Sequence, residues 1–387
     1  MTTWSVVKDD TRENSRPRNF FRYALLCFTA FLVLSLGFAL IPREAPVPAV
    51  PPFSEQARAS ALAETMQLRA ASHELAEGAS GAQRQLFSRT VTLLTTQARA
   101  LVLPAENGPH GAPAPPSPGS ATGPATGTAS ATAAPATVPA LVAGLSASGK
   151  QRLLQSETAD GGMARLLAAV GTAQLLQARS LAQASGTPVP ALPAAPAPQR
   201  TAADPCAASA SPPASASAPA SRPAPGSAGT ADAGTAAGNP GAASQSDALN
   251  RVVRTEVETV YGYQVALTRL QGAAAEQASG LLARHEALVD EAEEHSRAHC
   301  APIPPRDPGY TLGTSLLKKP AAGLASLEAG TLPVYGDLVA LSDGATRRWA
   351  IASLLQAAQR SIRWGSDPGP VPGIVLDTTL LPPLPAG

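Results

Sequence analysis

The stretch DALNRVVRTEVETVYGYQVAL, residues 247–267, decides the reading of the fold. Leu249, Val253, Val257, Val260, Gln264 and Leu267 recur at steps of three and four, the spacing that collects side chains on one face of an α-helix. Thr255–Leu267 puts Glu256 and Glu258 among those apolar positions, so at least one carboxylate is expected to face inward. The expected helix runs from Asp247 to about Ala275. The chain after it repeats the pattern from about Glu276 to His299, where Leu281, His285, Leu288, Ala292, His295 and His299 step by fours and threes. Two further helices are expected, from about Pro320 to Ser342 and from about Ala345 to Trp364. Short connections make the first two and the last two antiparallel neighbours, and the Pro-rich APIPPRDPGYTLG joins the pairs. Such an order defines a four-helix bundle with one longer crossover, expected over 246–366 and followed by a Pro-rich tail, 367–387.

Composition agrees with an all-α chain. Hydrophobic residues make up 44%, but alanine dominates them and aromatics are only 4%, so few runs have the β-branched and aromatic character of strands. The 39 prolines and 32 glycines gather with Ala, Ser and Thr at 104–138 and 186–245, which are expected to be disordered linkers. Two helical segments are expected, 54–103 before the first linker and 139–185 between the two. Ser54 is the expected N-cap of the first, and Gly78 with Gly81 and Asp160-Gly161-Gly162 are expected interruptions. Each segment has one apolar face, so they are expected to pack on each other or on the C-terminal bundle.

Near the N-terminus, YALLCFTAFLVLSLGFALI (23–41) contains no charged residue. At about 1.5 Å per residue it is long enough for the hydrocarbon core of a bilayer. The tail 1–22 carries Lys8, Arg12, Arg16, Arg18 and Arg22, whereas Arg43 is followed at once by Glu44. Positive charge stays inside, so a single-pass anchor with a cytoplasmic N-terminus, a stalk at 42–53 and an extracytoplasmic remainder is expected. The competing reading is a signal peptide cleaved near Gly37 and Ala39 or Val47 and Ala49, which would make the chain secreted.

The motifs in the C-terminal region also carry a resemblance. They are TEVETVYGYQVAL, RHEALVDEAEEH (284–295), GYTLGTSLLKKPAAGLASLE (309–328), RRWAIASLLQAAQRSIRW (347–364) and the closing PVPGI (370–374). In order and spacing this region resembles the ferritin-like domain of unknown function, DUF4439 type, found in exported actinobacterial proteins. The resemblance implies a ferritin-like four-helix bundle and no established activity. Pro333 departs from an uninterrupted third helix and predicts a kink.

Ferritin-like metal bundles use a Glu from each of two helices and a Glu-x-x-His from each of the other two. Glu256 and Glu328 fall on inward stripes, but Leu282 stands three residues before His285 and Ala292 three before His295. The fourth helix offers no His, Asp or Glu between Ala345 and Trp364. No di-metal centre is expected, and no catalytic, cofactor or metal residue is assigned. His285 is read as a core histidine bonded to Glu256 or Glu258, with Arg284 and Arg347 pairing those carboxylates. His295 and His299, one turn apart beside Cys300, have a zinc-compatible spacing, but the preferred reading is that cationic or polar side chains are favourable near a helix C-terminus. Of the three cysteines, Cys206 and Cys300 could pair outside the membrane, whereas Cys27 lies in the apolar run.

The net charge is +1, with no basic stripe beyond the tail, which excludes nucleic-acid binding. The expected partners are the membrane, an envelope protein or small ligand, and a second copy of the chain. The expected function is a non-catalytic binding or scaffold module; the alternative is a metal-binding or redox protein on a degenerate ferritin-like bundle.

Overall fold

The structure, a computed structural model, describes residues 22–32, 50–102, 136–194 and 243–384. The basic tail up to residue 21, residues 33–41 of the expected span, most of the stalk and most of both expected linkers lie outside these residues. Residues up to Val50 form one unit and residues from Pro51 onward another. In the first, 22–32 is helical and Tyr23, Leu25, Leu26, Phe28 and Phe31 are exposed. Among the described residues no helix is long and apolar enough to cross a membrane.

In the second unit all regular structure among the described residues is helical: α1 (Phe53–Gly78), α2 (Gly81–Leu101), α3 (Val138–Ser156), α4 (Gly161–Ser185), α5 (Gln245–Leu267), α6 (Gly272–Ala298), α7 (Thr314–Lys318), α8 (Pro320–Leu341) and α9 (Gly344–Arg363). Local chemistry sets several ends. Asp160 caps α4 by accepting from the Met163 amide, and Gly186 ends it at φ 67°, a left-handed conformation in which a side chain would be strained. Ser244 and Asp247 close a reciprocal capping box at the start of α5. Ser54 is not a cap. The helix begins one residue earlier, and the Ser54 hydroxyl accepts from the Asp160 amide at 2.9 Å, tying α1 to the α3–α4 turn. Helix α8 continues through Pro333 without a break.

The helices pair as hairpins: α1 with α2, α3 with α4, α5 with α6, and α8 with α9. The first four helices form an N-terminal bundle. Helices α5, α6, α8 and α9 form a C-terminal bundle, and α4 packs on α8 and α9 between them. A single apolar core crosses the junction, joining Ala57, Ala61 and Leu167 to Leu249, Leu338 and Leu354.

Polar contacts lock the same junction. Arg165 Nη1 lies 2.6 Å from Asp337 Oδ1, and Arg251 reaches the other Asp337 oxygen at 3.2 Å. Arg347 donates at 2.7 Å to the Ala159 carbonyl at the end of the α3 hairpin, and at 2.6 Å to the Ser342 carbonyl. The residues beyond α9 continue the seam. Gln97 donates to the Pro370 carbonyl at 2.8 Å, Arg165 to the Gly373 carbonyl at 2.6 Å, and Arg99 to the Pro382 carbonyl at 2.9 Å. Val371 is buried against Ala169 and Val170. The C-terminal bundle therefore does not stand apart as a separate compact body.

Candidate functional site

The C-terminal bundle places ionisable side chains from all four of its helices at its centre. Glu256 and Tyr263 come from α5, His285 from α6, Glu328 and Tyr335 from α8, and Arg360 from α9. Glu256, His285, Glu328, Tyr263 and Tyr335 are at most 1% exposed, and Arg360 is 3%. Burying so many polar groups is tolerable only if they satisfy one another.

They do so through His285. Its Nδ1 lies 2.6 Å from Glu256 Oε2 and its Nε2 lies 2.9 Å from Glu328 Oε1. A neutral imidazole has one N–H and could donate to only one of these carboxylates. The imidazolium donates to both. Burial acts to lower the His285 pKa, but the hydrogen bonds to Glu256 and Glu328 outweigh it and hold the ring above its ordinary value. Burial likewise opposes ionisation of Glu328, and there the bond from His285 and the charge of Arg360 prevail, so its pKa is lowered.

The remaining lone pairs are also used. Tyr335 O–H donates to Glu256 Oε1 at 2.7 Å, and Tyr263 O–H donates to Glu328 Oε1 at 2.6 Å. Trp364 Nε1–H donates to the Tyr263 oxygen at 2.7 Å, and Arg360 Nε–H donates to Glu328 Oε2 at 2.9 Å. Two carboxylates, one imidazolium and one guanidinium leave the cluster neutral. Burial raises the pKa of both tyrosines, which keeps them as O–H donors. Arg360 Nη1 and Nη2 have no protein acceptor, so the guanidinium is held by one bond and by charge.

This arrangement does not suit a di-metal centre. It contains one histidine instead of two and two carboxylates instead of four, and α9 contributes a cation where a ligand is needed. No group of three or more His, Cys, Asp or Glu among the described residues could hold a metal ion. The groove of about 520 Å³ between α2, α4, α9 and the turn after α9 is lined by none of the cluster's members.

Of the residues singled out in the sequence, Glu256, Glu328 and His285 come together, and Glu258 is not part of the cluster. The pairings expected for Arg284 and Arg347 are corrected. Arg284 bonds Glu291 at 2.6 Å and Gln356, because two turns along α6 a carboxylate lies on the same helix face. Arg347 instead binds backbone carbonyls at the bundle junction. Cys300 is disulfide-bonded, while Cys27 is free; Cys206 lies outside the described residues. Tyr263, Tyr335 and Arg360 were not read from the sequence as site residues. The one available signal was an Arg in α9 bracketed by apolar positions, in LLQAAQRSI.

Fold and cluster together define an all-helical protein with two joined bundles and a buried, charge-neutral network in the second. Residues 248–376, the third of the chain that holds this network, match the family described as Domain of unknown function (DUF4439). No match is found among curated proteins or among solved structures.

Proposed function

We propose that this chain is a membrane-anchored, extracytoplasmic binding or scaffold protein, and that its C-terminal bundle is a ferritin-like framework without a metal centre. The observation that carries the reading is the Arg360–Glu328 pair: a fixed cation from α9 supplies, within the core, the positive charge that metal ions supply in carboxylate bundles. The enclosed cluster cross-links four helices and offers no reacting group to a substrate, which favours a structural role over catalysis. Anchoring is supported by the uncharged run 23–41 and the basic residues before it. The exposed apolar side chains on the helical stretch 22–32 are a surface that lipid would cover.

Metal analysis of the full chain, purified in detergent after growth with iron and manganese, tests the central part. The reading predicts no metal whose occupancy depends on Glu256, His285 or Glu328. Stoichiometric iron or manganese that disappears in Glu328→Gln would establish the metal-binding alternative. For the anchor, N-terminal sequencing of the mature protein is expected to find the basic tail. A start after Ala39 or Ala49 would make the segment a discarded signal.

A further inference from the structure

A second polar cluster lies at the other end of α6, outside the buried network. His295 Nδ1 is 3.1 Å from Thr346 Oγ1, and His299 Nε2 is 2.9 Å from the same oxygen. Two imidazole nitrogens from successive turns of one helix therefore converge on a single point. The hydroxyl has one proton, so it donates to one ring and accepts from the other. Replacing it by a divalent ion would use the lone pairs of both rings.

Several features prepare this point for a cation. An imidazole nitrogen binds a metal ion through the lone pair it would otherwise offer to a hydrogen-bond donor, and both rings turn such a nitrogen toward the same point. The face of His295 packs on Trp349 with ring centroids 4.7 Å apart, and Trp349 is itself fixed by a 2.7 Å bond to Glu291, so the imidazole is held in place. His299 is the C-cap of α6, where the last carbonyls of the helix create negative potential. Glu291 and Glu294 add negative charge near His295. Because His299 is exposed, water can complete the coordination.

We infer that His295 Nδ1 and His299 Nε2 form a two-histidine site for a borderline divalent transition-metal ion of the zinc type, in which the ion takes the place of the Thr346 hydroxyl between the rings. Imidazole pairs suit zinc, whereas carboxylate-poor sites suit magnesium and calcium badly. Cys300, in a disulfide, supplies no thiolate. With two protein ligands the site binds reversibly, unlike a closed structural zinc site with four. The inference is independent of the reading of the buried network, since it uses none of those residues.

Calorimetric titration of the full chain with Zn²⁺ alone tests it. One ion per chain is expected, and binding should weaken roughly tenfold or more in His299→Ala and in His295→Ala. The exposed His299 can be removed without opening the core, so its variant separates loss of ligand from loss of fold. Thr346→Ala, which removes the hydroxyl and leaves its space free, should keep the site. Binding unchanged in His299→Ala, or absent in the native chain, would overturn the inference. Loss of binding in Thr346→Ala with both histidines intact would also overturn it.

Discussion

Arg360 on α9 and Glu328 on α8 meet at 2.9 Å inside the C-terminal bundle, the arginine 3% exposed and the glutamate fully buried. A charge in such a place depends on its partner. Arg360→Met leaves Glu328 with only the His285 and Tyr263 donors and should destabilise the chain by about 3–5 kcal/mol. The double variant Arg360→Met/Glu328→Gln should lose less than the sum of the single variants. Urea unfolding of the four species in a double-mutant cycle measures the coupling, and strict additivity would mean the pair is not coupled.

The same cluster predicts how stability varies with pH. His285 has a raised pKa in the fold, so its contribution is complete below its unfolded value of about 6.5 and is lost as pH rises through the folded value. Glu328 has a lowered pKa, so its contribution is present above the ordinary carboxylate value and is lost as pH falls through the folded value. A melting-temperature profile should therefore be flat between these limits and fall on both sides. His285→Gln should reduce the alkaline fall; an identical alkaline limb in that variant would assign it to another group.

In the N-terminal bundle α3 and α4 cross with almost no space between their backbones. A Cβ on Gly171 would lie 2.7 Å from the Gly149 carbonyl oxygen and 3.0 Å from Arg152 Cβ. Gly171→Ala should cost about 1–3 kcal/mol because the helices must separate. Gly162, in the first turn of α4, has nothing within 4 Å of the added atom. Gly162→Ala should be neutral, or stabilising by up to about 1 kcal/mol, since alanine favours the helix. Chemical denaturation of both variants provides the comparison; equal effects would contradict the close crossing.

The segment after α9 should behave as part of the folded body. Ending the chain at Pro368 removes the Gln97–Pro370 and Arg165–Gly373 bonds and uncovers Ala169 and Val170. Hydrogen exchange should then rise in α2 and α4 as well as at the new terminus. Exchange in α4 that stays at the native level would show that the contact contributes nothing.

How far these features could be read from the sequence differed by kind. The C-terminal helices were legible because apolar residues step by threes and fours and because Pro320, Gly344 and the PIPPRDP stretch interrupt the pattern. The inward positions of Glu256 and His285 followed from the same stripe. The partners of those residues did not follow, because periodicity gives the direction of a side chain from its own helix and says nothing of the axial register of the next. Tyr335 and Glu256 are 79 positions apart, and Tyr263 and Glu328 are 65 apart. Arg360 reads as a solvated residue until α9 is rotated into place. Ser54 fits a cap by local rule, but the distant Asp160 amide claims its hydroxyl. The union of the two bundles was equally hidden, because alanine-rich faces carry little information about which face covers which.

The most direct test is the protonation of His285. Nitrogen NMR of the ring at about pH 6.5, the ordinary histidine value, in the full chain with labelled histidine, reports each nitrogen separately. The account predicts that both Nδ1 and Nε2 of His285 carry protons. A single protonated nitrogen would leave one carboxylate facing a lone pair, and the charge-neutral network described here would be contradicted.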